Sequence, residues 1–190
     1  MNINEIKEQL SDAKKNTTHF LLKGFFKNTP SWEDIFEHLS YEYFNKPDLN
    51  FPDSWIVNGG VATQKNQFYA QIRDSSFYKQ YNDVLECFNN LLDKNGASGA
   101  AFLDLISNSK KVSFHNDPAD QFHWQIKGKS IWQFKKQHND DNEQVDAEIE
   151  VEEGDVIFLP DGIYHSVSTK SARCGITVMY SLRKGIVANS

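Results

Sequence analysis

The sequence predicts a mainly β chain with some α-helix: a C-terminal β-barrel or sandwich, with a helical N-terminal region covering it. Three observations carry this. Beyond residue 98, short apolar runs alternate with turn clusters at Asn108-Ser109-Lys110, Lys127-Gly128-Lys129, Glu152-Glu153-Gly154-Asp155 and Pro160-Asp161-Gly162, the punctuation of short strands. Residues 1–97 hold the helical periodicities. In the extended run Val112–Asp117, His115 and Asp117 stand two apart, so a strand places both on one face.

Taken in order, residues 3–14 carry Ile3, Ile6 and Leu10 at helical spacing. Phe20–Phe26 is a compact apolar segment broken by Gly24, a strand or an anchor against the barrel. Ser31 and Asp34 approximate a capping box, followed by the stripe Ile35, Phe36, Leu39 and a stop at Pro47. Ser54–Asn58 reads as a strand closed by Gly59-Gly60, and the polar residues 61–76 as a long loop. The clearest helix holds Tyr81, Val84, Leu85, Phe88, Leu91 and Leu92, with Gly96 as its stop. Ala100–Ile106 opens the strand-rich half, 137–147 is an acidic excursion, Val156–Leu159 is a bracketed strand, and Gly175–Leu182 closes the barrel. Residues 1–97 and 98–190 are expected to form one domain together.

A net charge of −6 argues against generic nucleic-acid binding, which needs a basic face to neutralise phosphates. Cys87 and Cys174 share no short spacing and read as buried thiols of a reducing compartment. Met1–Glu8 has acidic residues and no apolar core, so no signal peptide is expected, and no apolar run is long enough to span a membrane. The expectation is a cytoplasmic protein.

A third ligand for a metal at His115 and Asp117 comes from His165, in the run Gly154–His165. Two imidazoles and one carboxylate on one side of an ion leave positions open, as in non-heme Fe(II) oxygenases. A lone His-x-Asp pair is weak, since such pairs usually sit on solvated loops, and His165 alone could be a core or rim histidine. His123 shares a face with Gln121 farther along the strand and reads as lining; His19, His38 and His138 have no ligand spacing. Phe122, Trp124 and Ile126 alternate with His123 and Gln125 and read as core packing.

Gly154, five residues, Pro160-x-Gly162, two residues and His165 resemble the second motif of the cupin superfamily, with Thr169 where an Asn often stands. The first motif is matched in altered form by His115-x-Asp117, Gln121 and Gly128. This version, with Asp for the second His and Gln for Glu, resembles the Jumonji-C-like hydroxylases over about residues 99–182. Gln125-Ile126-Lys127-Gly128 is similar to the asparaginyl hydroxylase of hypoxia-inducible factor. The resemblance implies a double-stranded β-helix (cupin or jelly-roll barrel), Fe(II) held by His115, Asp117 and His165, and 2-oxoglutarate as cosubstrate. It implies hydroxylation of a C–H bond, with a protein or peptide as substrate first and a small molecule second.

The resemblance puts Gln121 in the slot where such enzymes often use an amide near the keto acid. The basic anchor for its distal carboxylate is expected just after the hairpin glycine, where Ser130 stands; Lys127, Lys129 (given a bulge) and Arg173 are the candidates. A metal-dependent cupin without 2-oxoglutarate and a non-catalytic binding cupin stay open beside this reading.

Overall fold

The computed structural model describes residues 2–37, 55–58, 69–73, 81–94, 98–105, 112–135 and 145–181. Helix α1 (Ile3–Asn16) starts at a capping box: Asn2 Oδ1 accepts the Asn4 amide and Glu5 accepts the Asn2 amide. These bonds satisfy backbone donors that a helix start leaves unpaired. Ile6, Leu10 and Ala13 are its buried stripe, while Ile3 is exposed. The chain then enters β1 (Phe20–Leu22). At Ser31 the expected cap is present, with Ser31 Oγ accepting the Asp34 amide at 3.1 Å and the Asp34 carboxylate accepting the Ser31 amide at 2.7 Å. The helical segment it opens is described over 32–37. Its continuation to Leu39 and Pro47, like the greater part of the acidic excursion, lies outside the described residues.

Strands β2 (Trp55–Asn58) and β3 (Tyr69–Arg73) precede α2 (Asn82–Leu92), and β4 (Ser98–Asp104) follows. Then come β5 (Val112–His115), β6 (Ala119–Lys127), β7 (Ser130–Lys135) and β8 (Ala147–Val151). The series ends with β9 (Val156–Leu159), β10 (Tyr164–Thr169) and β11 (Arg173–Ser181). Residues 69–73 correct the expectation of a loop: β3 pairs with β4 from Tyr69 opposite Asp104 to Arg73 opposite Ala100. The described residues among 1–97 thus contribute three strands as well as helices.

The strands form two sheets, ordered β1-β9-β6-β11-β4-β3-β2 and β5-β10-β7-β8, the two-sheet arrangement of a double-stranded β-helix. Strand β6 is buried on both faces. Phe122 and Trp124 point to the helical layer: Phe122 stacks on Phe88 at 4.6 Å, and Trp124 packs against Phe26 at 4.9 Å and Tyr81 at 5.5 Å. A second buried apolar cluster consists of Trp132, Phe134, Val151, Ile157, Leu159, Ile163 and Val167. Full burial of each such side chain is worth roughly 1.5–3 kcal/mol. The β6–β7 turn needs its glycine: Gly128 has φ +72, and a Cβ there would lie 1.9 Å from the Ala172 carbonyl oxygen.

Candidate metal centre

Antiparallel pairing of β5 with β10 sets His115 directly opposite His165, with ring centroids 4.4 Å apart. Asp117 follows β5 in the turn to β6, and this turn is bonded to the one before β10. The Gly162 amide donates to the Asp117 carbonyl at 3.2 Å, and the Asp161 amide to Asp120 Oδ1 at 3.2 Å. The motif Pro160-Asp161-Gly162 therefore locates Asp117 as well as delivering His165.

Asp117 Oδ2 stands 3.7 Å from both His115 Nε2 and His165 Nε2. Donors that each lie about 2.1 Å from one ion can be no more than about 4.2 Å apart, so each carboxylate–imidazole pair can share an ion. All three ligand atoms lie within 4.8 Å of one another, the only such group among the described residues. His115 Nδ1 lies 2.9 Å from the Ser113 carbonyl, and His165 Nδ1 lies 3.1 Å from that of Ile163. A carbonyl only accepts, so both Nδ1 atoms carry a hydrogen, and in the neutral rings Nε2, which faces Asp117, is the nitrogen left to ligate. Burial, then the neighbouring His115, hold the His165 imidazole below its ordinary basicity, which favours the ligating form. Gln121 Nε2 donates to Asp117 Oδ2 at 2.9 Å and fixes the carboxylate, the outer support that metal ligands commonly need. This donor set fits Fe(II) with positions left open.

The proposed anchors divide. Lys127 shares sequence parity with Gln121 and Gln125, but the ladder to β11 slips by a residue, Gln125 facing Gly175 and Lys127 facing Cys174. That irregularity turns Lys127 out to Glu153 Oε1 at 2.5 Å and Thr29 Oγ1 at 3.2 Å. Lys129 stays in the exposed turn, paired with Glu150 and Glu152. Both lysines expected as anchors are thus engaged by carboxylates, Lys127 by Glu153 and Lys129 by Glu150 and Glu152. Ser130, 0% exposed, points inward and is fully engaged: its hydroxyl donates to Gln125 Oε1 at 2.8 Å and accepts from Trp132 Nε1 at 3.0 Å. Arg173 is buried on β11, where Nε donates to Thr169 Oγ1 at 3.2 Å and Thr169 donates to Asp104 Oδ2 at 2.5 Å. Asp104 is also its partner across the β11–β4 ladder. Sequence reading missed Asp104, because nothing local marks the end of β4 as facing Arg173.

Residues 67–189 match the family model of the JmjC domain. The chain belongs to the JmjC-domain family. Its fold is similar to that of YcfD, a ribosomal oxygenase from Escherichia coli, with TM-score 0.65 and 14% identity over 90% of this chain and 49% of that one. The same protein in complex with cobalt and 2-oxoglutarate gives TM-score 0.66 at 14% identity, over 92% and 52%. The JmjC chain thus spans about half the length of YcfD. An oxidoreductase of the 2OG-Fe(II) oxygenase family from Burkholderia pseudomallei gives TM-score 0.56 at 13% identity, over 97% and 93%. No curated protein matches the sequence. Among the described residues, no helix is long and apolar enough to cross a membrane.

Proposed function

We propose that this JmjC protein is an Fe(II)- and 2-oxoglutarate-dependent oxygenase that hydroxylates a C–H bond of a protein or peptide. The observation that carries the reading is the triad of His115, Asp117 and His165, with both Nε2 atoms 3.7 Å from one carboxylate oxygen. Bound there, Fe(II) with 2-oxoglutarate supplies oxidative decarboxylation of the keto acid coupled to hydroxylation. The two imidazoles and Asp117 hold the ion from one side, and Gln121 keeps the carboxylate aimed. Arg173 is the cation for the distal carboxylate, since Lys127 and Lys129 face carboxylates elsewhere and a buried anion without a cation carries a penalty of several kcal/mol, roughly. The likeness to a ribosomal oxygenase supports a macromolecular substrate, and the net charge of −6 favours protein over nucleic acid.

One observation favours a second reading, a metal-dependent cupin that works without 2-oxoglutarate: Thr169 links Arg173 to the buried carboxylate of Asp104, which offsets its charge. Anaerobic titration separates the two. Fe(II) followed by 2-oxoglutarate is expected to give a visible charge-transfer band, and oxygen then to yield succinate. Arg173→Gln is expected to weaken 2-oxoglutarate while leaving Fe(II) binding in place. Metal binding with no response to the keto acid would support the second reading.

A further inference from the structure

Behind the triad lies a buried polar wall that metal binding does not use. His123 is 1% exposed on the inner face of β6, between Gln121 and Gln125. Its ring fits only because residue 175 on the neighbouring strand is glycine. A Cβ at Gly175 would lie 2.5 Å from His123 Cε1 and 2.6 Å from Nε2. The ring fills a notch in β11 and meets Trp132 on another side, with centroids 5.0 Å apart. Trp132 in turn stacks on His165 at 5.6 Å and 24°. One indole therefore separates His123 from a metal ligand. His123 also feels Arg173: burial first and that guanidinium second push its basicity down to about 3.

Hydrogen-bond directions lock the ring. Gln125 Nε2 donates to the carbonyls of Lys127 at 2.7 Å and Cys174 at 3.4 Å, so its Oε1 is the acceptor. That oxygen receives the Ser130 hydroxyl at 2.8 Å and lies 3.4 Å from His123 Nε2, which therefore carries the ring hydrogen. Nδ1 is left to accept from Thr177 Oγ1 at 2.9 Å. Trp132 Nε1 completes the chain by donating to Ser130 Oγ. Each group is satisfied within the wall, and a satisfied buried network specifies one arrangement.

Resting on the oxygenase reading, we infer that His123 is a specificity-determining residue that sets the length of 2-oxo dicarboxylic acid the site accepts. His165, Trp132 and His123 form a continuous row of rings from the triad toward Arg173, and on this proposal the acid lies along that row. The ring cannot retreat from a longer acid, because the Gly175 notch is already full. A glutamine network stands where a basic residue was expected beside the hairpin, so the wall limits length without binding the anion itself.

The test measures dissociation constants of oxaloacetate, 2-oxoglutarate and 2-oxoadipate on the anaerobic Fe(II) protein, by charge-transfer absorption and by tryptophan fluorescence. The wild-type chain is expected to prefer 2-oxoglutarate to the longer 2-oxoadipate by about tenfold or more, the scale of one misfitting methylene. His123→Ala, and His123→Asn as the variant that keeps a polar group for Gln125 and Thr177, are expected to remove most of that preference. Gly175→Ala is expected to drive the ring inward and weaken 2-oxoglutarate more than the shorter oxaloacetate. A change in folding stability alone moves all three acids together. An unchanged ratio in both His123 variants, with wild-type binding intact, overturns the inference and leaves the oxygenase reading standing. A wild-type protein that binds Fe(II) but none of the three acids overturns both.

Discussion

At the triad, each imidazole is held by a backbone carbonyl two residues upstream in sequence, Ser113 for His115 and Ile163 for His165. The local chain thus selects the tautomer that exposes Nε2, and metal affinity depends on these contacts as well as on the ligands. Asp117→Ala is expected to lower Fe(II) affinity by more than about 100-fold, and Gln121→Ala, which frees the carboxylate to turn, by about 10–100-fold, the range for outer-shell partners. Calorimetric titration with Fe(II) under argon checks both. His123 makes a separate prediction about stability. Its pKa is about 3 in the folded chain against an ordinary 6.5, so below pH 6.5 the unfolded chain takes up a proton that the folded one refuses. Its contribution is complete above pH 6.5 and is lost as pH falls from 6.5 toward 3, at a slope approaching about 1.4 kcal/mol per pH unit. Urea denaturation of the wild type against His123→Asn across this interval is expected to show the wild type losing stability more steeply. Parallel curves would place His123 in a solvated or charged state.

The loops beside the triad are positioned by elements far away in sequence. Asp120, with its side chain 3% exposed, lies 2.9 Å from Lys14 Nζ of α1 and 3.5 Å from Lys94 Nζ just beyond α2, while its other oxygen holds the Asp161 amide. One carboxylate therefore ties both helices to the turn that delivers His165. Asp120→Asn is expected to cost about 1–3 kcal/mol, below the usual cost of splitting a fully buried pair because both lysines are about one-third exposed. It is also expected to weaken Fe(II) binding, since the Asp161 turn is loosened; denaturation and metal titration on one preparation check the two effects. What the sequence shows of these elements follows from where their signals lie. Strand β9 was legible because Gly154 and Pro160 bracket it locally, and α2 because its apolar stripe repeats over three turns. Strand β3 was not: Tyr-Ala-Gln-Ile-Arg sits among polar residues, and its pairing partner β4 lies across α2 in sequence. Lys127 pointed inward by parity, and only the irregular register with β11 turns it outward.

Over the whole molecule, the helical layer and the barrel share one apolar seam. Phe88 of α2 and Phe122 of β6 are both 0% exposed and stacked, and the same cluster includes Ile6 and Leu10 of α1, Trp124 of β6, and Ile176 and Val178 of β11. This layer, with Phe26 of the segment after β1, packs on the outer face of β6, so a barrel parted from it would expose Phe122, Trp124 and Ile126 together. At about 1.5–3 kcal/mol for each side chain, such exposure takes a large share of the roughly 5–15 kcal/mol that holds a typical domain folded. The two regions are therefore expected to unfold as one. Phe88→Ala, which removes the ring that Phe122 stacks on, is expected to cost about 3–5 kcal/mol. Far-ultraviolet circular dichroism reports on secondary structure, and near-ultraviolet signals on the packed aromatic residues, Trp124 and Trp132 among them. Both are expected to move to the same lower denaturant midpoint in the variant; two separated transitions would show that the barrel holds its fold without the helices.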